Sequence, residues 1–186
     1  MLKGIDISKW NRNPPVCVDF AVIRATHGVA VDKYAKTWAG VYADKLIGFY
    51  HFAKTNYDWL ACAKKFIETV KASAGGASCF LALDIEGIDA NRPNAIKWVR
   101  NWLSYVIRTT GIKPLLYTNS ANITKFSEVM KDLDIGLWVA HWDVKKPKIE
   151  PLKTWAMWQY STSNNTLDLD YFNGSKEQLK KYMGKV

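Results

Sequence analysis

The sequence predicts an α/β fold in which mainly parallel strands alternate with helices. Its strand-like runs are largely apolar rather than alternating, which is typical of strands covered on both faces. Segments with helical spacing separate several of these runs, and such alternation predicts a sheet with right-handed crossovers. The chain has 186 residues, of which 48% are hydrophobic, enough to form one substantial core.

Strand-like runs occur along the whole chain, and several of them end in polar residues. The eight runs are Leu2–Ser8, Phe20–Thr26, Leu46–Ala53, Phe80–Glu86, Pro114–Asn119, Gly136–Trp142, Thr154–Ser161 and Leu167–Phe172.

Helical spacing and end signals predict the segments between the strands. The predicted helices are Asp32–Lys45, Tyr57–Ala74, Pro93–Thr110, Asn122–Leu133 and Ser175–Met183. Asn56 is a candidate N-cap, while Gly75 and Gly111 are candidate helix stops. The intervals after Trp142 and after Ser161 are too short for a normal helix. If the sheet closes into a barrel, its last third is therefore irregular, with hairpin-like connections.

The segment Phe80–Glu86, which reads FLALDIE, is the most informative motif. In a strand, residues two apart point to the same face, so Asp84 and Glu86 would project side by side. Their Cα atoms would lie roughly 6–7 Å apart, at about 3.3 Å of rise per residue. A carboxylate pair of this kind is what glycoside hydrolysis requires. The alternative is a strand that runs out into solvent and carries two ordinary polar end residues.

The cysteines and histidines offer little chemistry by comparison. The spacings of Cys17, Cys62 and Cys79 match no zinc pattern. Cys62 and Cys79 lie among apolar residues, as small core residues do. A nucleophilic cysteine would need a histidine partner, and the histidines at strand ends leave that alternative open. We expect no metal and no cofactor.

The formal net charge of +9 favours polyanionic partners. Nucleic acid and anionic cell-wall polymers are both candidates, and a solvated basic surface with no partner is the plain alternative. The lysines are scattered, and no nucleic-acid recognition motif is present. We therefore expect no nucleic-acid binding. With no long uncharged apolar run and no visible signal peptide, we also expect no membrane insertion.

Aromatic residues are abundant, with nine Trp, nine Tyr and seven Phe. Those near polar strand ends are Tyr50, Phe52, Tyr117, Trp138, Trp142, Trp158 and Tyr160. Aromatic faces pack on the C–H faces of sugar rings, and Tyr and Trp add a polar group. Core packing is the alternative, which we favour for Trp102 and Trp155, whereas Tyr117 and Trp142 are predicted to bind sugar.

Several motifs in order resemble the glycoside hydrolase family 25 lysozymes, the Chalaropsis-type muramidases. The matching segments are GIDIS at Gly4–Ser8, GFYHF at Gly48–Phe52, LDIE at Leu83–Glu86, LLYTN, LWVAHW, WQYS and LDLDYFNG at Leu167–Gly174. Each motif alone is weak, but their order and spacing over nearly the whole chain are specific.

The resemblance implies a flattened, irregular β/α barrel with its site at the carboxyl ends of the strands. It implies cleavage of the β-1,4 bond between N-acetylmuramic acid and N-acetylglucosamine. Glu86 would be the general acid and Asp84 its partner carboxylate, with Asp6 and Asp168 in the same pocket. The residues expected to contact substrate are Tyr50, Tyr117, Trp138, Trp142, Gln159 and Tyr160. Whether Asp84 attacks the sugar or orients the substrate's own acetamido group stays open.

Two positions depart from the family pattern. The second strand of the family usually carries Glu where this chain has His27, and a glutamine is usual where it has Asn11. The histidine would alter the pH profile or the sugar contacts, or it is a surface substitution in a loop.

The resemblance also suggests a setting. We expect residues 1–186 to form a single catalytic domain without a separate wall-binding module, acting as a monomer. Synthesis in the cytoplasm and action on the bacterial wall would resemble a phage endolysin, although a bacterial enzyme with its signal removed would look similar. Other functional classes remain open: a chitinase-like N-acetylhexosaminidase, a non-catalytic sugar-binding barrel and a nucleic-acid-binding domain.

Overall fold

The computed structural model describes residues 1–12, 14–15, 17–163 and 167–186, and of Ser163 only the backbone. Nine strands within these ranges form one sheet that closes on itself. They are β1 Leu2–Ile7, β2 Phe20–His27, β3 Ala30–Val31, β4 Leu46–Phe52, β5 Phe80–Asp84, β6 Leu115–Asn119, β7 Leu137–Ala140, β8 Met157–Ser163 and β9 Leu167–Phe172. All eight predicted strands are present, and only the short β3 was not predicted.

The strand order is β1-β9-β8-β7-β6-β5-β4-β2-β3, and an additional β1–β2 pairing closes the barrel. Strands β1, β2 and β4 to β8 pair in parallel along their part of this order. Strand β9 is antiparallel to both of its neighbours, β1 and β8. The barrel is therefore regular through β7 and irregular at its closure, as the short intervals in the last third predicted.

Helices cover the outside of the parallel part. They are α1 Ala35–Val41, α2 Trp59–Ala74, α3 Gly87–Asn91, α4 Ala95–Thr110, α5 Ile123–Leu133 and α6 Lys176–Lys180. Gly75 and Gly111 end α2 and α4 in the left-handed conformation, as predicted. The predicted N-cap Asn56 is wrong: the N-cap of α2 is Asp58, whose carboxylate accepts a hydrogen bond from the Ala61 amide. Pro93 likewise lies before α4 rather than in its first turn.

No helix in the described part of the chain is long and apolar enough to span a membrane.

Two phenylalanines fill the barrel interior below the site because two glycines leave room for them. Gly4 pairs with Phe20 across β1 and β2, and Gly48 pairs with Phe80 across β4 and β5. A Cβ at either glycine would lie 2.3 Å from the facing ring. The two rings meet edge to face at 6.4 Å. This packing closes the interior beneath the carboxyl ends of the strands.

A second apolar layer lies between the barrel and the helices. His51 of β4 belongs to it: the ring is stacked on Trp102 with centroids 5.3 Å apart and on Trp98 at 6.0 Å. Its Nδ1 is hydrogen-bonded to the Thr26 hydroxyl at 2.7 Å. Trp102 is fully buried, as expected for a core residue, whereas Trp155 packs against this layer while partly exposed.

Candidate active site

A cleft of about 620 Å³ opens at the carboxyl ends of the parallel strands. Its lining includes all four carboxylates that were predicted to form the site: Asp6, Asp84, Glu86 and Asp168. A larger cavity of about 870 Å³ lies at the opposite end of the barrel, where the segments before β6, β7 and β8 meet. That cavity contains only one carboxylate, Asp134, which is paired with Lys113. Of these two cavities, only the cleft contains a cluster of carboxylates.

Asp84 and Glu86 lie on the same side of the chain, as their spacing predicted. Asp84 is the last residue of β5, and Glu86 continues in extended conformation with φ −149° and ψ 178° before α3 begins. Asp84 is buried, and its Oδ1 has no hydrogen-bond partner among the residues the structure describes. Glu86 is only partly buried. The alternative of a strand running out into solvent is thus wrong for this motif.

The pKa values of both carboxyls lie above their usual range. Burial is the main cause for Asp84, with the charge of Glu86 adding to it and Arg24 acting against it. Burial also raises the pKa of Glu86, with a further contribution from Asp168 and an opposing one from Lys54. Asp84 is the more buried of the two, and the pKa of each carboxyl is raised. The protonated form of each group is favoured, as general acid chemistry requires of one of them.

Asp6 and Asp168 are brought together by the antiparallel pairing of β1 with β9, in which they are direct cross-strand partners. Asp6 is buried and Asp168 is partly buried. Burial raises the pKa of both, and for Asp6 the charges of Asp170 and Asp168 raise it further. Residues separated by more than 150 positions in the sequence thus share one wall of the cleft.

Gln159 of β8 connects this wall to the aromatic residues. Its Nε2 donates to Oδ2 of Asp6 at 2.7 Å. Its Oε1 accepts from the Tyr117 hydroxyl at 3.0 Å and from the Trp142 indole Nε1 at 2.9 Å. The three bonds fix which way the amide points, because its oxygen faces two donors and its nitrogen faces a carboxyl oxygen.

The aromatic residues of the cleft divide into a floor and a rim. Tyr50, Tyr117 and Trp138 were predicted to contact substrate; all three line the cleft, but they are buried and form its floor. Tyr117 meets Trp138 at 4.8 Å and Tyr50 meets it at 6.2 Å, both nearly perpendicular. Trp142 is 49% exposed and forms part of the rim. Side chains from the surrounding strands cover these rings inside the barrel, and the sequence alone did not show this burial.

Tyr160 was predicted to contact substrate, and the structure places it outside the cleft. Gln159 points into the cleft, whereas Tyr160, which lies where the β8–β9 register is irregular, turns to the outer face of β8. There its ring stacks on Tyr171 with centroids 4.2 Å apart and packs with Trp158 against the outer apolar layer. We therefore leave Tyr160 out of the site.

Several residues at or beneath the cleft were missed from the sequence, among them Trp10, Arg24 and Asp170. Trp10 is an exposed rim residue, and Arg24 lines the cleft while its Nε is paired with Asp32 at 2.9 Å. Asp170 lies fully buried next to Asp6, and its Oδ1 accepts from the Trp138 indole at 2.8 Å. The signal for Asp170 was present, because Asp168 and Asp170 repeat the spacing of Asp84 and Glu86. Arg24 and Trp10 carried no comparable pattern.

The positions that departed from the family pattern lie at the edge of the cleft. His27 is exposed, stacks on Phe52 at 5.0 Å and lines a smaller adjoining pocket rather than the main cleft. Burial, followed by the charges of Lys54 and Arg24, lowers its pKa. Asn11 lines the cleft, and its Oδ1 accepts from the Ser8 amide at 2.7 Å.

None of the three cysteines lines the cleft, and Cys17 is an exposed free cysteine outside it. Cys62 and Cys79 are buried, and burial raises their pKa values to about 11 and about 12. Their thiolates are therefore disfavoured, and neither lines the cleft. Within the described ranges, no group of three or more His, Cys, Asp or Glu side chains could hold a metal ion.

Known proteins share both the sequence pattern and the fold. The autolytic lysozyme of Clostridium acetobutylicum is 30% identical over 92% of this chain and 56% of its own length. The uncharacterized protein YegX of Escherichia coli K12 is 27% identical over 98% of this chain and 73% of its own length.

Among solved structures, the bacterial lysozyme of Streptomyces coelicolor superposes with a TM-score of 0.79 at 24% identity, covering 97% of this chain and 96% of that chain. The catalytic domain of endolysin ply40, from bacteriophage P40 of Listeria monocytogenes, gives a TM-score of 0.74 at 25% identity, covering 98% and 97%. These likenesses confirm the flattened β/α barrel. The model of the glycosyl hydrolases family 25 matches residues 5–169, and since this range holds the strands of the barrel and the four carboxylates of the cleft, the chain belongs to that family of glycoside hydrolases.

Proposed function

We propose that this protein is a peptidoglycan hydrolase that cleaves the β-1,4 bond between N-acetylmuramic acid and N-acetylglucosamine. One observation carries the proposal: Asp84 and Glu86 converge with Asp6 and Asp168 in one cleft at the carboxyl ends of the strands. Family membership makes the chain a glycoside hydrolase, and the similar autolytic lysozyme and endolysin domain support the bacterial wall as its substrate.

Glu86 acts as the general acid that protonates the leaving oxygen. It is partly exposed at the cleft wall, so a glycosidic oxygen can approach it. Burial and the charge of Asp168 keep its pKa above the usual range, which favours the protonated form that a general acid needs.

Asp84 orients the acetamido group of the substrate rather than attacking the sugar itself. A nucleophilic carboxylate must be ionised, whereas the burial and the unbonded Oδ1 of Asp84 favour its neutral form. The carbonyl oxygen of a carboxyl in this state can accept from the N–H of the acetamido group at C2 of the sugar. The acetamido oxygen then attacks the anomeric carbon while the glycosidic C–O bond breaks and Glu86 protonates the leaving oxygen, and water opens the cyclic intermediate. Substrate-assisted hydrolysis of this type is an established exception to the two-carboxylate scheme.

The aromatic floor and rim bind the glycan. Tyr50 and Tyr117 line the bottom of the cleft with only a small part of each side chain exposed, and the buried Trp138 packs against both. Trp142 offers a half-exposed ring face at the edge of the cleft. Sugar C–H faces pack on such rings. Gln159 is held rigid by three hydrogen bonds and supports Tyr117 and Trp142 in place.

Residues 1–186 act as one catalytic domain that binds the wall as a monomer. The net charge of +9 assists this step, because wall polymers such as murein and teichoic acids are anionic. The likeness to an endolysin catalytic domain supports a role in phage-type lysis, in which an enzyme made in the cytoplasm reaches the wall from inside.

A wall-lysis assay with product analysis tests the proposal. Purified bacterial walls should lose turbidity, and the new reducing ends should be N-acetylmuramic acid. New N-acetylglucosamine ends would contradict the assigned bond. Chitin serves as the second substrate, and faster release of soluble products from chitin than from walls would favour a chitinase-like enzyme instead.

A further inference from the structure

A directed chain of hydrogen bonds lies under the cleft. The Trp138 indole donates to Oδ1 of Asp170 at 2.8 Å, and the Gln159 amide donates to Oδ2 of Asp6 at 2.7 Å. Gln159 in turn accepts from Tyr117 and Trp142. The two halves meet at Asp6 and Asp170, which are diagonal neighbours on one face of the β1–β9 pair, with Asp168 opposite Asp6 and Asp170 opposite Gly4. Their carboxyl groups interact closely there.

Asp170 is the least usual member of this hydrogen-bond network, because it is 0% exposed and no ion pair to it exists among the described residues. Its Oδ2 receives no hydrogen bond from any N–H or hydroxyl group in the described part of the chain. The neighbouring group that can donate a hydrogen bond to Oδ2 is the carboxyl of Asp6, since the Trp138 indole already donates to Oδ1.

A carboxylate has only acceptor oxygens, so two carboxylates cannot bond to each other unless one carries a proton. If Asp6 carries this proton, every side chain of the hydrogen-bond network has a partner for its bonding groups. Asp6 then donates to Asp170, and its other oxygen, Oδ2, remains free to accept from Gln159 as observed. If both were ionised, two buried negative charges would face each other without a cation, at a large cost in free energy.

We propose that Asp6 and Asp170 share one proton, and that Asp170 is a positioning residue which holds Asp6 as a neutral acid and so fixes Gln159, Tyr117 and Trp142 for sugar binding. In this arrangement the pair carries a single negative charge. Asp170 touches no substrate and acts through Asp6.

The electrostatics of the surroundings agree with the shared proton. Burial first, and then the charges of Asp170 and Asp168, raise the pKa of Asp6, while burial also raises that of Asp170. The other charged or titratable groups around this region include Asp168 on β9, Arg24 on β2, Tyr50 on β4, Asp84 and Glu86 at the end of β5, Tyr117 on β6 and, on the outer face of β8, Tyr160. Arg24 is the one cation in that set, and it is already paired with Asp32. The pair therefore loses its proton only well above the usual range of a carboxylic acid, and the network breaks when it does.

Substitutions at Asp170 separate hydrogen bonding from titration. In Asp170→Asn, the amide oxygen can still accept from Trp138 and the amide nitrogen can donate to an ionised Asp6, so the geometry is kept and the shared proton is removed. In Asp170→Ala, both Trp138 and Asp6 lose their acceptor. Asp134→Asn is the matched control, because Asp134 has the same change in charge and chemistry but is an exposed helix-capping residue far from the cleft.

The titration is measured by NMR on the sugar-free protein, following the Trp138 indole N–H and the Gln159 side-chain amide against pH. We expect both signals to move with one midpoint in the wild type and in Asp134→Asn. In Asp170→Asn that transition should shift at least about one pH unit downward, since a lone carboxylate ionises more easily than a pair. An unchanged midpoint in Asp170→Asn would overturn the shared proton.

The binding consequence is measured with a soluble peptidoglycan tetrasaccharide, and this arm alone rests on the proposed function. We expect Asp170→Ala to raise KM at least about tenfold with a smaller change in kcat, because unpaired buried groups disturb the sugar-binding side chains. In Asp170→Asn, KM should return most of the way to the wild-type value. Equal KM values in Asp170→Ala and the wild type would overturn the positioning role. A protein with no muramidase activity would refute the proposed function, while the NMR titration would still decide the shared proton.

Discussion

Asp84 and Glu86 face one cleft from adjoining positions on the chain, yet they lie in different environments. Asp84 is buried, with one oxygen unbonded among the described residues, while Glu86 is partly exposed. The same DxE spacing thus provides one carboxyl that an incoming sugar can reach and one held deeper in the barrel. The first two predictions follow from this difference.

Glu86→Gln should reduce wall lysis by at least about 10²-fold, because positioned proton transfer contributes typically 10²–10⁴-fold to rate. The amide keeps the shape but has no transferable proton. Turbidity of purified walls measures the rate, and thermal unfolding checks the fold. Glu128→Gln, at an exposed position on α5, is the matched control and should lyse walls normally. A folded Glu86→Gln protein with full activity would remove Glu86 from its assigned role.

Asp84→Asn should become more stable than the wild type as pH rises above about 4. The folded pKa of Asp84 is raised, mainly by burial, above its unfolded value of about 3.9. The native state then binds more protons than the unfolded state, so the free energy of unfolding falls with rising pH in the wild type. Asn does not titrate and avoids this loss.

Urea unfolding at several pH values between about 4 and 8 measures the difference between the two proteins. Asp134→Asn is the control, since Lys113 lowers the pKa of Asp134 and no gain above pH 4 is expected there. A stability difference between Asp84→Asn and the wild type that stays constant with pH would argue that Asp84 is ionised in the native protein.

Gly48→Ala should destabilise the barrel by about 1–3 kcal/mol, the usual cost of overpacking a core. The new Cβ would lie 2.3 Å from the Phe80 ring, which is fixed between Gly48 and Phe20. Gly40→Ala is the comparison, because its Cβ would meet nothing within 4 Å and Gly40 lies in α1. We expect Gly40→Ala to be neutral or stabilising by up to about 1 kcal/mol. Equal denaturation midpoints for the two variants would mean that the Phe80 ring can move aside.

His51 should stay neutral through the physiological pH range. Burial lowers its pKa to about 3, and Nε2 has no partner among the described residues that would stabilise a positive charge. Its stacking between Trp98 and Trp102 leaves no access for water. We expect the imidazole NMR signals of His51 to remain constant from pH 8 to pH 5, and a transition near the ordinary histidine value of about 6.5 would contradict this burial.

Salt should weaken binding to intact walls if the net charge of +9 attracts them. The Debye length falls from about 10 Å at 0.1 M to about 3 Å at 1 M ionic strength, so the attraction is screened. Pelleting of the Glu86→Gln protein with walls measures binding without destroying the walls. Equal pelleting at both salt concentrations would show that the charge serves solubility alone.

Local patterns determined much of this fold and site. All eight predicted strands are present, and the helix-ending glycines at 75 and 111 adopt the left-handed conformation as expected. Helix starts were less predictable, because Asp58 and Asn56 are both suitable caps and only the chain's path selects one of them. The short α3 and β3 carry too little periodicity to be seen.

The sequence by itself determined the alternation of strands and helices, the family pattern and the DxE pair, because these depend on residues close along the chain. The tertiary structure alone decided which side chains share a wall. The pairing of β1 with β9 places Asp6 beside Asp168 and Asp170, and β8 points Gln159 inward and Tyr160 outward. Burial is likewise a property of the assembled barrel: it makes Trp138 a floor residue and raises the pKa values of the carboxyls. Those features depend on barrel closure, which brings distant residues together and excludes water from between them.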